Sequence, residues 1–179
     1  MNQTTRLQCV CDQVHLEVEG AHIVSAECHC NSCRAAGARM QALPSAPRFM
    51  EPSGGTRFVL HRKDRVRFLQ GADLLKEYRL SPGATTRRVV ATCCSTPVFL
   101  EFTNGHWLSL YGCLWPAGAL PRLELRTMTG DLPAGTVLPD DVPNCKRQSG
   151  SFFFKLLGAW IAMGFKRPKI AVGNGELQV

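Results

Sequence analysis

The stretch CHCNSC, from Cys28 to Cys33, places three thiols and one imidazole within six residues. Side-chain packing alone does not explain so many reactive groups at such close spacing. Four interpretations are open at this point: a disulfide knot, a redox pair, a metal site, or an accident of composition. The remainder of the sequence has to decide between them.

The composition is that of an ordinary folded protein rather than a disordered one. Of the 179 residues, 45% are hydrophobic and 20% are charged, so the chain is long enough for one domain, or one domain with an appendage, to bury a core. Glycine and proline are frequent, and short β-branched or aromatic runs recur between them. This pattern predicts a mainly β fold.

The positive net charge of the chain limits the classes of partner that it would bind. A net charge of +7 favours an anionic partner such as nucleic acid, a membrane surface or an acidic small molecule. The basic residues are nevertheless scattered, and the densest run extends only from His61 to Arg67. Such a run is more typical of a solvated surface than of a binding site, so nucleic acid is a secondary hypothesis.

The role of the nine cysteines depends on the redox compartment in which the protein is found. There is no apolar stretch near Met1, and the late apolar run at 151–165 is shorter than the ~20 residues of a membrane span and carries Lys155. We therefore expect a cytoplasmic protein without a membrane span, with a helix at 151–165. In a reducing compartment closely spaced thiols are more often metal ligands than disulfides, and an odd number leaves any disulfide framework incomplete.

Seven of the cysteines form three groups, each predicted at a strand end or turn where ligands can converge. These groups are Cys9 with Cys11, then Cys28 with Cys30 and Cys33, and finally Cys93 with Cys94. Structural zinc takes four ligands, so seven thiols can complete one closed site and leave a second with three ligands and an open position, which is typical of catalytic zinc. An iron–sulfur cluster is the alternative for the same thiols.

The remaining candidates in the cysteine pattern have weaker support. His29 lies between two candidate ligands, and because neighbouring side chains diverge, we expect it in an outer shell or facing solvent. Cys113 and Cys145 have no partner close in sequence, and we interpret both as structural or incidental.

The apolar pattern along the chain predicts short strands up to residue 111 and a more irregular region after it. Alternation at 14–19 and a second run at 22–27 predict a hairpin that delivers Cys9 and Cys11 at one end. A short helical turn is expected at 34–40. Further strands are expected near 57–60, 66–69, 74–80, 88–92, 97–102 and 107–111. We predict one β domain at 6–111 and a C-terminal extension at 112–179 packed on it.

These motifs resemble the glutathione-dependent formaldehyde-activating enzyme and centromere protein V family. The resemblance covers roughly residues 6–103 and includes the first Cys-x-Cys, the Cys-His-Cys-x-x-Cys stretch and a late cysteine turn ending in Thr96-Pro97. The run EPSGGT at 51–56 and this late turn look like an uncharacterised subgroup. The resemblance implies a mainly β, Mss4-like (β-tent) fold that binds zinc.

The resemblance also implies which cysteines act together. A structural zinc would be held by Cys9, Cys11, Cys93 and Cys94, and a second zinc by Cys28, Cys30 and Cys33. The sequence departs from the family pattern at Asp12, where glycine is usual, and at the late motif, where the two cysteines are adjacent rather than two residues apart. Adjacent cysteines reach one ion only through an unusual turn, so the alternative that one of them serves the second zinc stays open.

Two hypotheses of function follow. The family's named reaction joins formaldehyde to glutathione as S-hydroxymethylglutathione, formally a carbon–sulfur lyase reaction, so the first hypothesis is an enzyme that acts on thiol–aldehyde adducts. Its open zinc site at Cys28, Cys30 and Cys33 would activate a thiol such as glutathione. The second hypothesis is a non-catalytic, zinc-stabilised binding module whose basic surface contacts nucleic acid or a protein partner.

Overall fold

The structure, a computed structural model, describes residues 3–173 and 175–177. Within these residues the chain forms two α-helices, α1 (Asn31–Gln41) and α2 (Gly150–Ala162). The strands are β1 (Thr4–Gln8), β2 (His15–Glu19), β3 (Val24–Cys28), β4 (Thr56–Arg62), β5 (Val66–Gln70), β6 (Leu75–Tyr78), β7 (Thr86–Ala91), β8 (Thr96–Phe102), β9 (Trp107–Tyr111), β10 (Leu125–Thr127) and β11 (Asn144–Cys145). The expected mainly β fold with a C-terminal helix is confirmed.

The strands form two sheets. A small sheet has the order β1-β2-β5, and a large one has the order β11-β10-β3-β4-β9-β8-β7-β6. Most neighbours are antiparallel, but β10 runs parallel to both β3 and β11. This parallel pairing places Thr127 beside Cys28. Residues from late in the chain therefore lie next to the CHCNSC stretch.

The two faces of the large sheet are buried against different elements. Val59, Phe99 and Leu110 pack with the small sheet in one apolar cluster. Their strand neighbours Phe58 and Leu100 face the other way and pack with α1 and α2 in a second cluster. This follows from the two-residue period of a strand, which sends alternate side chains to opposite faces. The fold is thus a three-layer arrangement with helices on one side only.

The predicted hairpin of 14–19 with 22–27 is wrong. The strand β2 pairs with β1 and β5 on its two edges, whereas β3 pairs with β4 and β10 in the large sheet. Burial explains the difference, because β2 alternates between buried and half-buried residues while the first four residues of β3 are all buried. An alternating strand suits a half-covered sheet, and a continuously buried one suits the centre of a sheet covered on both faces.

The predicted short turn at 34–40 is a full helix that begins earlier. Helix α1 spans eleven residues, and its N-cap is Cys30, whose sulfur accepts a hydrogen bond from the backbone N–H of Cys33. Helix α2 starts behind Ser149, whose hydroxyl caps it through the N–H of Phe152. The described helices fall short of the length and apolar character needed to cross a bilayer.

The region after residue 111 contributes to the same large sheet through β10 and β11. Both strands are short, and Pro143, which cannot donate to a strand ladder, directly precedes β11. The division into a domain at 6–111 and an extension at 112–179 stays a prediction.

Candidate metal centres

Four cysteines from distant parts of the chain meet at one point. The sulfur atoms of Cys9, Cys11, Cys93 and Cys94 all lie within 4.8 Å of one another. Cys9 Sγ is 3.5 Å from Cys11 Sγ and 3.9 Å from Cys93 Sγ, and Cys93 Sγ is 3.8 Å from Cys94 Sγ. Tetrahedral zinc with Zn–S bonds of about 2.3 Å places its sulfur ligands about 3.8 Å apart. The group therefore fits one zinc ion.

Two turns bring this group, the four-sulfur group, together. The turn between β1 and β2 carries Cys9 and Cys11 and continues through Asp12 at φ 62°, while the turn between β7 and β8 carries Cys93 and Cys94 and continues through Ser95 at φ 53°. Left-handed backbone is uncommon outside glycine. The adjacent cysteines therefore reach one point through the unusual turn that their spacing requires, and neither lies with the CHCNSC thiols.

Hydrogen bonds stabilise the sulfurs of this group as acceptors. The backbone N–H of Val14 donates to Cys9 Sγ at 3.3 Å, and Thr96 Oγ1 lies 3.0 Å from Cys94 Sγ. Burial by itself would raise the pKa of Cys94, but hydrogen bonds from Thr96 and Cys11 lower this pKa to about 6. A thiol with a lowered pKa is available as the thiolate that zinc binds.

The second group consists of Cys28, Cys30 and Cys33, whose sulfur atoms also lie within 4.8 Å of one another. Cys28 ends β3, Cys30 caps α1, and Cys33 lies in the first turn of that helix. Hydrogen bonds from the Cys28 and Cys33 side chains, together with the Cys33 amide, hold the pKa of Cys30 far below its usual value. The helix N-terminus adds to this, because its partial positive charge favours an anion.

The donor sets favour zinc over the iron–sulfur alternative. An iron–sulfur cluster distributes its cysteines over several iron atoms, whereas each group here gathers all its sulfurs around one point. Soft thiolate ligands at this spacing suit a single zinc ion. The first group supplies four ligands and the second supplies three, so a zinc ion in the second group would keep one coordination position open. Cys113 and Cys145 belong to neither group.

A buried arginine lies beneath the three-sulfur group of Cys28, Cys30 and Cys33. Arg88 in β7 is 1% exposed and donates from Nη2 to the carbonyl oxygen and hydroxyl of Ser32, at 3.3 and 3.1 Å. Its charge favours the thiolate form of Cys30 and of Cys33, although the interaction with Cys30 and burial raise the pKa of Cys33 overall. No carboxylate of the described residues pairs with this guanidinium. The thiols of Cys30 and Cys33 can thus supply, as thiolates, the negative charge that balances the Arg88 guanidinium.

Of the two alternatives for His29, an outer shell or solvent, the solvent alternative is wrong. Its side chain is fully buried, and Nε2 lies 3.1 Å from Oε1 of Glu27. Glu27 also accepts a hydrogen bond from Ser53 and forms a buried ion pair with Arg126 at 3.0 Å. His29 is not among the residues whose ligand atoms gather with the three thiols. It belongs to a polar network behind the candidate site.

The three-sulfur group opens into a cleft of about 1000 Å³. The sheet forms one wall with Phe58, Leu60 and Leu100, and α2 forms another with Phe152 and Leu156. Polar side chains line the side next to β10 and β11, namely Thr127, Asp131, Lys146, Arg147 and Gln148. None of the four-sulfur group lines this cleft. Only the three-sulfur group therefore lies at the wall of this cleft, whereas the four-sulfur group lies outside it with Cys11 exposed.

Sequence reasoning missed most of the polar residues of the cleft. Asp131 accepts a hydrogen bond from the N–H of Asn31 at 3.0 Å, across 100 residues of sequence. Thr127 is 4% exposed, and its Oγ1 has no hydrogen-bond partner in the described residues although it lines the cleft. No local motif marks either residue. Their role depends on the parallel pairing of β10 with β3, which the sequence pattern did not indicate.

A family model described as glutathione-dependent formaldehyde-activating enzyme matches residues 4–114, while no curated protein matches the chain. Among solved structures, it is similar to the crystal structure of a Rhodobacter sphaeroides protein, with 16% identity and a TM-score of 0.46 over 78% of this chain and 98% of that one. The family match spans more than half of the chain and includes all seven grouped cysteines, and the chain therefore belongs to the glutathione-dependent formaldehyde-activating enzyme family.

Proposed function

We propose that the protein is a zinc-dependent carbon–sulfur lyase that forms and cleaves thiol–aldehyde adducts, with glutathione as the thiol. The observation that carries the proposal is the contrast between the two sulfur groups. Four sulfurs lie together away from the cleft, and three lie together at its wall. The first arrangement suits a structural zinc held by Cys9, Cys11, Cys93 and Cys94, and the second suits a zinc that binds a ligand.

The reaction needs no oxidant or reductant. In an adduct of the form R–S–CH(OH)–R′ the carbon–sulfur bond breaks, the sulfur keeps the bonding electron pair, and the hydroxyl oxygen becomes a carbonyl oxygen. The hydroxyl proton leaves the oxygen and ends on the thiol product. When bound by three thiolates, zinc supplies an open position that holds a substrate thiol as its thiolate. The reverse direction forms the adduct by the same steps.

Residues of the chain supply binding and orientation. Lys146 and Arg147 line the cleft and would pair with the carboxylates of glutathione. Thr127 Oγ1, buried and unpartnered, offers a hydrogen bond to the adduct oxygen. Asp131 is the one carboxylate among the described residues that line this cleft, and we assign it as the proton acceptor for the adduct hydroxyl. The apolar walls exclude bulk water from the reacting carbon.

The alternative of a nucleic-acid-binding module has less support, because the densest basic run is largely paired within the fold. Arg62 pairs with Asp64, Lys63 with Glu101, and Arg65 and Arg67 with Glu19. Paired cations contribute little to a phosphate-binding surface. We also propose a cytoplasmic location, in keeping with nine cysteines that are all free thiols.

Native mass spectrometry tests the proposal by counting zinc and glutathione per chain. We expect two zinc ions and one glutathione in the wild type. Cys30→Ser should retain one zinc and lose glutathione, yet stay folded, because serine is a good N-cap for α1. Cys113→Ser is the matched control, since Cys113 lies in neither group, and it should behave as the wild type.

NMR spectroscopy tests the chemistry by measuring the rate of exchange between the formaldehyde–glutathione adduct and free glutathione. We expect catalysed exchange in the wild type and in Cys113→Ser, and none above background in Cys30→Ser. Wild-type rates of exchange in Cys30→Ser would contradict the proposal.

A further inference from the structure

The cleft beside the three-sulfur group is far larger than formaldehyde requires. Its volume of about 1000 Å³ is at the upper end of the range for pockets that hold drug-sized molecules, whereas formaldehyde contributes a single carbon to an adduct. Glutathione would occupy the polar side of this volume, and if formaldehyde supplied the aldehyde part, water would have to fill the space against the aromatic and aliphatic walls. Hydration of apolar surface is unfavourable, so the cleft is suited to a larger apolar group.

The lining of the cleft is divided into two sides. The polar side follows β10 and β11 with Thr127, Asp131 and Lys146, next to the thiols. The apolar side extends over the large sheet and α2, where Leu100, Trp107 and Phe153 are examples. An adduct bound through its sulfur would place its charged thiol part on the first side. Its aldehyde-derived part would then lie against the second.

Much of this lining comes from outside the family match. The family model ends at residue 114, whereas Thr127, Lys146, Arg147 and the whole of α2 come later in the chain. The sulfur groups therefore lie within the matched region, and the cleft is completed by residues beyond it.

We propose that the site acts on adducts of glutathione with apolar aldehydes, in which the group carried by the aldehyde carbon is a medium-length alkyl chain or an aromatic ring. This inference rests on the proposed function, because it uses the same thiols and the same carbon–sulfur bond. The covalent step is unchanged, with a larger R′ on the carbon. The apolar side of the cleft sets the preference for that R′.

Stable conjugates test this preference by binding alone. Isothermal titration calorimetry of the zinc-loaded protein compares S-methylglutathione with S-hexylglutathione, and ethanethiol with hexanethiol. We expect the hexyl compound of each pair to bind at least about tenfold more tightly. Its additional methylene groups would be transferred from water to contact with the apolar walls of the cleft, which is favourable. The change in heat capacity on binding should also be more negative for the hexyl compounds.

Two adjacent phenylalanines on α2 provide a matched pair of variants. Phe153 lines the cleft, whereas Phe154 does not line it and is 74% exposed. Phe153→Ser should reduce the hexyl-to-methyl affinity ratio by at least about threefold, and Phe154→Ser should leave that ratio unchanged. The double variant Lys146→Gln, Arg147→Gln should weaken both glutathione conjugates without changing their ratio.

The possible outcomes distinguish the proposed preference for apolar aldehydes from the proposed lyase function on which it rests. Equal affinities for the methyl and hexyl compounds, with glutathione still bound, would overturn the apolar preference and leave the lyase proposal standing. A chain-length effect for the simple thiols without any binding of glutathione or its conjugates would support the apolar cleft and overturn glutathione as the thiol. A chain-length effect that Phe153→Ser and Phe154→Ser alter equally would overturn the assignment to this cleft.

Discussion

The guanidinium of Arg88 donates hydrogen bonds to both the carbonyl oxygen and the hydroxyl of Ser32, and so joins β7 to the first turn of α1. Ser32 lies between two thiols of the three-sulfur group. Three thiolates around a divalent cation carry a net charge of −1, and a buried cation compensates for that charge. The arginine therefore acts on the candidate site both as a positioning residue and as a counter-charge.

Replacing this cation should weaken zinc binding at the three-sulfur group. We expect Arg88→Met to lower zinc affinity there by about 10- to 100-fold, the usual effect of losing an outer-shell partner, with the four-sulfur group unaffected. Competition with a chromogenic chelator measures both sites. Arg87→Met is the control, because Arg87 points to the other face and pairs with Glu101 at 2.6 Å. Unchanged affinity in Arg88→Met would contradict this role.

Loss of one ligand from the four-sulfur group should destabilise the whole fold. Cys9 is fully buried, and its group joins β1 and β2 of the small sheet to β7 and β8 of the large one. Because zinc bound only to the folded chain contributes folding free energy, Cys9→Ser should lower the free energy of unfolding by at least about 3 kcal/mol. Urea denaturation measures this. Cys145→Ser, outside both groups, should change it by less than about 1 kcal/mol.

Gly55 leaves no room for a side chain beside the polar network of Glu27 and His29. A Cβ at this position would lie 2.3 Å from Glu27 Oε1 and 2.7 Å from His29 Cε1, and both of these side chains are buried. We expect Gly55→Ala to lower the free energy of unfolding by about 2 kcal/mol. In Gly83→Ala the added Cβ meets nothing within 4 Å, so its stability should match that of the wild type. A neutral Gly55→Ala would show that the network relaxes freely.

His61 should make the fold less stable in mild acid. Burial, with a smaller contribution from the charge of His22, lowers the pKa of His61 to about 4. The unfolded chain, with a histidine pKa near 6.5, therefore binds more protons than the folded one between these values. Stability rises with pH across that window and is lost as the pH falls through it, by about 2 kcal/mol between pH 7 and pH 5.

The measurement is urea denaturation at pH 7 and pH 5 for the wild type and His61→Gln. The variant should lose most of this pH dependence, and the difference between the two proteins removes any effect of zinc release that they share. His15→Gln is the control, since His15 lies partly exposed beside Asp12. An identical pH dependence in the wild type and His61→Gln would exclude His61 as its source.

Local spacing was informative about the thiols because their geometry is local. Cys28, Cys30 and Cys33 come together through one strand end and one helical turn, so six residues of sequence contain the whole arrangement. The meeting of Cys9 with Cys94 depends on two separate turns, and it was inferred only from the family resemblance. Whether either group holds zinc stays a proposal.

Partner strands could not be predicted in the same way. A two-residue period shows which residues share a face but not which strand lies alongside, and the incorrect hairpin of β2 with β3 arose from this limit. Arg87 and Arg88 are adjacent in sequence, yet alternation sends one toward Glu101 and the other beneath the thiols. Thr127 and Asp131 depend on a pairing across about 100 residues, and no local pattern encodes it.

Helix α2 forms a wall of the cleft but contributes no sulfur to either group. Its contacts with the rest of the described chain include buried Phe152 and Leu156, a hydrogen bond between His106 and the carbonyl oxygen of Leu156, stacking of His106 on Trp160, and an ion pair between Lys155 and Glu124. A substitution at the exposed cleft residue Phe153 can therefore change the lining without removing a sulfur ligand. Relatives that share the cysteines can diverge in what they bind, and comparing this helix among them would be a better guide to substrate than comparing their metal ligands.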